Sequence, residues 1–252
     1  MPIRFLTDRP AAFIPEIKTL VITDLHLGLE YDLYKSGIWI PAQANIFLKK
    51  IDKMISETKA KKLVILGDLK HKVPGISIRE VREVPKFLQV LADKIETFLL
   101  MGNHDTELKT IIPPQINAKD CRGFKIKKFG FFHGHAFPSV ELIECDYLFM
   151  GHVHPTVEFT DDLGFRSVQQ VWVKAELDGK KIEKRYKTKN MGKMNLIIVP
   201  AFNEMLGGGA LNKKPRKEYL STIMSGKYFD LKNSDAYLLD GTFLGKIKDI
   251  KF

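Results

Sequence analysis

The stretch Glu96–Asp105, ETFLLMGNHD, joins an apolar run directly to a short polar segment. The side chains from Phe98 to Met101 are all apolar, which is the pattern of a strand buried on both faces. The run stops at Gly102–Asp105, so an amide, an imidazole and a carboxylate follow the strand at its tip. Such groups add little to a core, and ligands of α/β sheets bind at the carboxyl ends of strands. The stretch therefore predicts a functional site at the end of a buried strand.

Two similar strands precede this one and are separated from it by segments with helical spacing. Apolar runs at Thr19–Thr23 and Lys62–Leu66 predict strands, and the residues from Phe47 to Ile55 predict a helix between them. We expect Pro85 in the first turn of a second helix, whose buried face carries Phe87, Leu88 and Leu91. This alternation predicts βαβ units, a largely parallel sheet and helices packed outside it.

The rest of the chain is richer in strands and turn signals. We expect a short helix capped by Ser139 and a mostly antiparallel arrangement, so that the first sheet of an α/β domain packs on a second sheet. Residues 1–252 are read as one domain, with the motifs in about 19–155 and the second sheet completed by 156–252. The expected strands are Lys125–Phe132, Tyr147–Met150, Arg166–Leu177, Leu196–Val199, Ala236–Leu239 and Thr242–Ile247.

Five of the predicted strands end in residue types that bind metal ions. Any one of these short blocks is common in ordinary turns, but all 7 histidines of the chain lie in them. The blocks follow one another in order, each behind an apolar run, which predicts a metal site rather than five unrelated turns. Their polar residues are Asp24 and His26; Asp68 and His71; Asn103, His104 and Asp105; His133 and His135; and His152 and His154.

The order and spacing of these blocks resemble those of the calcineurin-like metallophosphoesterases, over about Leu20 to Pro155. Within that superfamily the chain is most similar to archaeal phosphoesterases related to the SbcD-type DNA-repair exonucleases. This closer resemblance rests on DLHLGLE, which contains Asp24, and on His71 after GDLK. The family fold is a two-sheet β-sandwich flanked by helices, which agrees with the α/β, α+β-like arrangement expected above.

The resemblance implies a site with two divalent metal ions. One ion would be held by Asp24, His26 and His154, and the other by Asn103, His133 and His152, with Asp68 bridging the two. His135 is the alternative to His133 as a ligand. Three further residues would serve the reaction: His104 as the acid that protonates the leaving group, Asp105 as the group that orients His104, and His71 beside the bound phosphate.

Oxygen and imidazole ligands without thiolates suit Mn²⁺, with Fe, Zn²⁺ or Ni²⁺ as alternatives. Two divalent ions exceed the charge of the Asp24 and Asp68 carboxylates, so the site would attract a phosphate ester and lower the pKa of bound water. We therefore expect a binuclear metal-dependent phosphoesterase that hydrolyses phosphodiester bonds, with nucleic acid as the substrate. The alternatives are a small-molecule phosphatase or cyclic-nucleotide phosphodiesterase and, less favoured, a non-catalytic interaction scaffold.

The charge balance is consistent with a polyanionic partner. Lys and Arg number 40 against 30 Asp and Glu, a net charge of +10, although a lysine-rich surface would give the same value. The basic run Lys180–Lys193 is either a track for a nucleic-acid backbone or an exposed hairpin. The segment Pro200–Asn212 is expected to return towards the metals, with Asn203 near them, or else to be a flexible crossover.

The remaining features bear on where the chain works. Its only cysteines, Cys121 and Cys145, are far apart and are expected to be free thiols in a reducing compartment. The sequence has no signal peptide and no apolar run of membrane-spanning length, so we expect a cytoplasmic protein without a membrane partner. The sequence does not fix the oligomeric state, and a homodimer is one possibility.

Overall fold

The first part of the chain forms a six-stranded sheet whose strands lie in chain order, β1 to β6. The computed structural model describes residues 2–189, 192–213 and 221–251. The pairings from β3 to β6 are all parallel, whereas β1 and β2 add antiparallel strands at one edge. The strands are β1 (Arg4–Phe5), β2 (Ala12–Ile14), β3 (Thr19–Ile22), β4 (Lys62–Ile65), β5 (Glu96–Leu100) and β6 (Asn117–Lys119).

Three helices connect the parallel strands: α1 (Leu29–Lys35), α2 (Gln43–Thr58) and α3 (Ile78–Ala92). A capping box starts α3, because the Ser77 hydroxyl accepts the N–H of Glu80 and the Glu80 carboxylate accepts the N–H of Ser77. Pro85 therefore lies inside α3, and its expected place in the first turn is wrong.

The second sheet has the strand order β14-β13-β11-β12-β9-β8-β7, and β10 pairs with β11 beside this path. The pairings of β9 with β8 and β12 are parallel, and the other pairings are antiparallel. The strands are β7 (Phe124–Ile126), β8 (Phe129–Phe132), β9 (Tyr147–Met150), β10 (Thr156–Thr160), β11 (Arg166–Glu176), β12 (Asn195–Ile198), β13 (Asp235–Leu238) and β14 (Phe243–Lys246).

Two local expectations in this part are wrong. The run Lys125–Phe132 is a tight hairpin of β7 and β8 rather than one strand, because Lys127 adopts a left-handed conformation with φ 53°. The basic run begins as helix α4 (Gly179–Tyr186) and not as a hairpin, since the Asp178 carboxylate caps it by accepting the N–H of Lys181. Residues 190 and 191 of that run lie outside the described residues.

Short helical turns complete the fold. The turn after Ser139 begins where expected, but the Ser139 hydroxyl donates to the Glu141 carboxylate and caps no backbone N–H. Helix α5 (Thr222–Ser225) is a single turn that follows Ser221, whose hydroxyl accepts the N–H of Met224. Within the described residues, 3₁₀ helices span Pro15–Ile17, Leu108–Thr110, Val140–Glu144 and Ile247–Asp249.

The two sheets pack face to face, and helices cover their outer faces. Side chains alternate along each strand, so Val21 of β3 faces the second sheet while its neighbours Leu20 and Ile22 face α2 and α3. Both faces of the central strands are therefore apolar. The layer between the sheets includes Val21, Val64, Leu100, Phe129, Phe131, Phe149, Trp172 and Ile197. The expected fold class, a two-sheet sandwich flanked by helices, is confirmed.

Candidate metal centre

The polar blocks meet at one edge of the sandwich, beyond the carboxyl ends of β3, β4, β5, β8 and β9. Backbone hydrogen bonds extend this edge past the strands: the N–H of Asp24 donates to the Gly67 carbonyl at 3.1 Å, and that of His26 donates to the Asp68 carbonyl at 2.9 Å. The first two loops therefore run side by side. These backbone hydrogen bonds fix the positions of Asp24 and Asp68 relative to each other.

The backbone at these positions has an unusual conformation. Five of the predicted ligands have positive φ angles, a region that residues other than Gly, Asn and Asp rarely adopt; it costs each of the three histidines among them about 1–2 kcal/mol. Such a kink directly after a strand turns the side chain out of the sheet towards the common edge. The angles are 54° at Asp24, 46° at His26, 51° at Asp68, 70° at His152 and 45° at His154.

Two glycines allow the strand ends to approach closely. A Cβ atom at Gly102 would lie 2.1 Å from Oδ1 of Asp68, and one at Gly67 would lie 2.5 Å from Nδ1 of His133. Neither position has room for a side chain. The glycines that precede Asp68 and Asn103 are therefore part of the site, since they let the candidate ligands occupy the adjacent space.

The first candidate group contains Asp24, His26, Asp68 and His154, whose ligand atoms all lie within 4.8 Å of one another. Nε2 of His26 is 3.5 Å from Oδ2 of Asp68, and Nε2 of His154 is 3.5 Å from Oδ1 of Asp24. Two ligand atoms that are each about 2.1 Å from one ion are roughly 3.0–3.4 Å apart at tetrahedral or octahedral angles. The observed separations are close to that spacing.

The second candidate group contains Asp68, His133 and His152. Nε2 of His133 is 3.4 Å from Oδ2 of Asp68, and it is 3.2 Å from Oδ1 of Asn103. Asp68 thus belongs to both groups, as a bridging carboxylate must. The ring of His135 lies 5.2 Å from that of His133 and 6.0 Å from that of His152, beside the second group but not in it.

Two buried ring nitrogens test whether the site fits metal ions. Nε2 of His26 and Nε2 of His154 have no hydrogen-bond partner, although buried polar atoms are nearly always paired. The other nitrogen of His154 bonds to the Gly207 carbonyl at 3.3 Å, and Nδ1 of His133 bonds to the Leu66 carbonyl at 2.8 Å. A carbonyl only accepts, so each Nδ1 carries a proton and each Nε2 is directed at the site. Although burial opposes the charge, Asp68 raises the pKa of His133 to about 9 and Asp24 raises that of His154, so a bound divalent ion would take the place of the proton on each Nε2. The donor set therefore fits divalent cations.

The charges of the site favour cation binding. Burial alone would raise the pKa of the Asp24 carboxyl, but the adjacent His154 holds it below its usual value. Burial likewise opposes ionisation of Asp68, whose pKa is nevertheless held well below the usual range by His133. Burial together with the neighbouring charge of His133 lowers the pKa of His152 to about 4. At neutral pH the two carboxylates are thus ionised and His152 is neutral, the forms that bind metal.

The hydrogen-bond partners of His104 differ from the partner that was expected. Its Nδ1 bonds to the His71 carbonyl at 2.7 Å, and its backbone N–H donates to Oδ1 of Asp68 at 2.8 Å. The carboxylate of Asp105 accepts instead from the N–H groups of Gly102, Leu69 and Lys70. The expectation that Asp105 orients the imidazole of His104 is therefore wrong; Asp105 joins the loops after β4 and β5 through backbone groups.

His71 lies against the first group. Its Nδ1 is 3.2 Å from Nδ1 of His26, and its Nε2 is 3.8 Å from Oδ2 of Asp32 on helix α1. Burial, together with the charges of His26 and His104, lowers the pKa of His71 to about 4, so this imidazole is neutral. The structure thus brings the three residues expected to serve the reaction to the edge of the metal groups, with His26, His71 and His104 close enough to form a further cluster.

The segment Pro200–Asn212 returns to the site, which agrees with the first of the two interpretations of the sequence. The side chain of Asn203 is buried and donates to the Leu25 carbonyl at 3.0 Å, and the N–H of Phe202 donates to the Thr23 carbonyl at 2.8 Å. The segment also supplies the Gly207 carbonyl to His154. Sequence reasoning did not identify this contact or that of Leu66, because a backbone carbonyl leaves no mark in the residue pattern.

Comparison with known proteins agrees with this geometry. The sequence profile of the family "Calcineurin-like phosphoesterase" matches residues 17–175, which contain every predicted ligand. The chain belongs to this family. It is therefore a metal-dependent phosphoesterase, a hydrolase of ester bonds. Members of the family typically bind two divalent ions, and the two groups described above could hold them.

Solved structures resemble this phosphoesterase at low sequence identity, and the first one described here shares its fold. The nuclease MPE of Pseudomonas putida is 19% identical with a TM-score of 0.58, over 93% of this chain and 92% of that one. The phosphoesterase Yfce of E. coli is 16% identical with a TM-score of 0.43, over 90% and 97% of the two chains. A double mutant of Vps29 from Entamoeba histolytica is 13% identical with a TM-score of 0.31, over 75% and 79%. No curated protein matches the sequence of the chain.

Proposed function

We propose that this phosphoesterase hydrolyses phosphodiester bonds of nucleic acid, using a pair of divalent ions, and that it is related to the SbcD-type exonucleases. The observation that carries the proposal is the position of Asp68, which belongs to two groups of metal-ligand atoms. Asn103 supplies a neutral oxygen ligand to the second group, and the bridging role of Asp68 lets both ions act on one phosphate. Manganese is the proposed metal, because the donors are oxygen and imidazole without thiolate.

The residues of the chain account for binding, orientation and proton transfer. When bound, the two ions would supply a nucleophile at neutral pH and stabilise negative charge on the phosphate. His71, which is neutral and lies beside His26, is placed to donate a hydrogen bond to a non-bridging phosphate oxygen. The Nδ1–H of His104 donates a hydrogen bond to the His71 carbonyl, so the imidazolium form of His104 would direct its Nε2–H to the departing oxygen, transfer that proton and be left as the neutral imidazole.

The proposal of a nucleic-acid substrate rests on charge and on the likeness to a nuclease fold. The chain carries a net charge of +10, and helix α4 exposes a row of lysines. This helix ends against the segment that follows His135, because the Tyr186 hydroxyl donates to the Pro138 carbonyl and the Arg185 guanidinium lies over the ring of Phe137. A strand bound at the metals could therefore reach α4 within a few nucleotides.

The test is a substrate panel for the Mn²⁺-loaded protein. Single-stranded DNA, duplex ends, RNA, a cyclic nucleotide and an aryl phosphomonoester would be compared with a nitrophenyl phosphodiester, with Asp68→Asn as the inactive control. We expect cleavage of at least one nucleic acid with kcat/KM well above that for the cyclic nucleotide. Cleavage of the cyclic nucleotide or the monoester alone would show a small-molecule enzyme, and no cleavage at all would overturn the proposal.

We also propose a reducing, cytoplasmic location. Cys121 and Cys145 are free thiols in the structure, and burial raises the pKa of the Cys145 thiol to about 11, which keeps it unreactive. Among the residues that the structure describes, no helix is long and apolar enough to cross a membrane.

A further inference from the structure

A fully buried lysine lies in the loop that also carries Asp68 and His71. Lys70 has 0% exposure, whereas lysines are almost never fully buried unless their charge is matched. It stands between Asp68 and His71 in the sequence, in the loop after β4. Its ammonium group makes no contact with the candidate metal ligands' side chains; its partners are backbone carbonyls.

The hydrogen bonds of this ammonium group are complete. Nζ donates to the carbonyls of Lys72, Gly75 and His104, the bond to Gly75 being 2.7 Å long. An ammonium group has three protons, so each one is used. Two of the carbonyls belong to the loop that follows β4 and the third to the loop that follows β5, so that one side chain joins the two loops.

A buried carboxylate holds the same loop from the other side. Glu80, which is 2% exposed, accepts the N–H groups of His71 and Lys72 at 3.0 and 2.8 Å, in addition to its capping contacts with Ser77. The carbonyls of Lys72 and Gly75 thus face Lys70, while the N–H groups of His71 and Lys72 face Glu80. The segment between His71 and Gly75 is fixed by two opposite charges.

These contacts converge on the bond that orients His104. That bond runs from Nδ1 of His104 to the His71 carbonyl, and its length depends on the positions of both backbones. The ammonium group of Lys70 binds the backbone carbonyl of His104, the residue that donates this bond. It also binds the carbonyls of Lys72 and Gly75, which follow the accepting residue His71 in the chain. Glu80 fixes the N–H of His71 itself. A displacement of about 1 Å in a reacting group can cost about 100-fold in rate, so this frame matters to catalysis.

We propose that Lys70 is a positioning residue that, together with Glu80, holds the imidazole of His104 in line with the departing oxygen of the substrate. The inference rests on the proposed function in so far as His104 is the acid. The inference gives a role to the ammonium group of Lys70, which neither binds metal nor contacts substrate. It also explains why this positive charge is buried beside a site that binds cations.

The first test is kinetic and uses Lys70→Met, which keeps the length of the side chain and removes its donors. We expect kcat for a dinucleotide diester to fall about 10- to 100-fold with little change in KM, and kcat for a nitrophenyl diester to fall less than about 3-fold, because a phenolate leaves without a proton. In a His104→Ala background the same substitution should have no further effect, since the two residues act as a unit. Lys86→Met, an exposed lysine on α3, is the matched control.

The second test does not depend on activity. Hydrogen exchange of the backbone amides of Lys72, Val73, Gly75 and Ile76 should become at least tenfold faster in metal-free Lys70→Met and stay unchanged in Lys86→Met. If Lys70→Met fails to fold, Glu80→Gln replaces it, with the same substrate-dependent loss expected to a smaller extent. Equal losses on both diesters, a further loss in the His104→Ala background or unchanged exchange would overturn the role of Lys70. A parent protein that cleaves no nucleotide diester would instead refute the proposed function, while the exchange test would still decide whether Lys70 fixes the loop.

Discussion

At the scale of single residues, the site depends on which nitrogen of each histidine is occupied. His104, His133 and His154 each bond to a backbone carbonyl through Nδ1, which leaves Nε2 as the working atom. For His133 and His154 that atom faces a carboxylate, as a metal ligand would; for His104 it remains available to substrate. The same residue type thus serves two purposes, and the difference lies in what surrounds Nε2.

Replacing His104 with alanine should separate chemistry from metal binding. Its imidazole is the proposed acid, so its loss should lower kcat for a dinucleotide diester by roughly 10²–10⁴-fold, because a basic alkoxide needs a proton to leave. A nitrophenyl diester should lose much less, since phenolate is a stable leaving group. Steady-state kinetics on both substrates, with metal content measured by elemental analysis, would check this. Equal losses on both substrates, or lost metal, would contradict an acid role for His104.

At the scale of elements, strand ends and helix starts control how the ligands approach one another. Gly102 follows β5 and packs against the carboxylate of Asp68, and the kinked backbone of Asp68 depends on that close approach. Helix α3 begins with a capping box whose carboxylate also holds the loop after β4. Strand β5 and helix α3 therefore contribute to the site through the residues at their ends.

Gly102→Ala should damage the centre without changing any ligand. The new Cβ would lie 2.1 Å from Oδ1 of Asp68, so the loops after β4 and β5 must separate. Overpacking of this kind costs about 1–3 kcal/mol of unfolding free energy, and we expect Mn²⁺ binding to weaken at least tenfold. Calorimetric titration and urea unfolding would measure both. Gly192→Ala, where a Cβ meets open space, is the control and should change neither; normal metal affinity in Gly102→Ala would argue against close packing of these loops.

Helix α4 should contribute to nucleic-acid binding through charge. Lys180, Lys184 and Lys187 are exposed, and replacing all three with glutamine should weaken binding of single-stranded DNA. The salt dependence should also flatten, by about 0.7 in log–log slope for each phosphate that the variant no longer neutralises. Fluorescence anisotropy at several salt concentrations measures this slope. An unchanged slope in the α4 variant would show that this helix is only a solvated surface.

The matched control for the α4 variant changes three lysines on another part of the surface. Lys49, Lys53 and Lys59 are exposed and lie in or just after α2, which covers the outer face of the first sheet. Replacing them with glutamine removes the same charge from the chain as the α4 variant does. A control that flattened the slope equally would show that net charge, rather than helix α4, governs binding.

At the scale of the whole molecule, the two halves of the chain share a core and a site. Val64 and Leu100 of the first sheet pack in the same cluster as Phe131 and Trp172 of the second. Asp68 comes from the first sheet and His133 from the second, so the candidate metal groups span both. Folding and metal binding should therefore be coupled.

Thermal unfolding should show one transition, and Mn²⁺ should raise its midpoint. An ion at 100 times its Kd that binds only the native state adds about 2.7 kcal/mol, which corresponds to a shift of roughly 5–10 °C for a chain of this size. Asp68→Asn should abolish most of this shift, because a neutral amide is a poor bridge between two cations. Scanning calorimetry with and without Mn²⁺ would measure it. Two separate transitions would contradict one cooperative domain, and a full shift in Asp68→Asn would show that Asp68 does not bridge.

The sequence by itself determined the strands that carry the site, the two-layer arrangement and the residue types at the strand tips. These follow from local patterns: apolar runs, helical spacing and the polar blocks that begin at Asp24, Asp68 and Asn103. Pro85 and the hairpin around Lys127 were predicted wrongly, because a capping box and a single left-handed residue outweighed the local propensity.

Only the tertiary structure decided how the site is held. Its orienting groups are carbonyls of Leu66, His71 and Gly207, which every residue type possesses and which therefore leave no signature in a sequence. The roles of Asp105 and Lys70 follow from backbone partners in a neighbouring loop or a few residues along the chain. A side chain's identity limits what it can bind, but its partners are fixed by packing between distant segments, and that packing is decided when the two sheets and their loops come together.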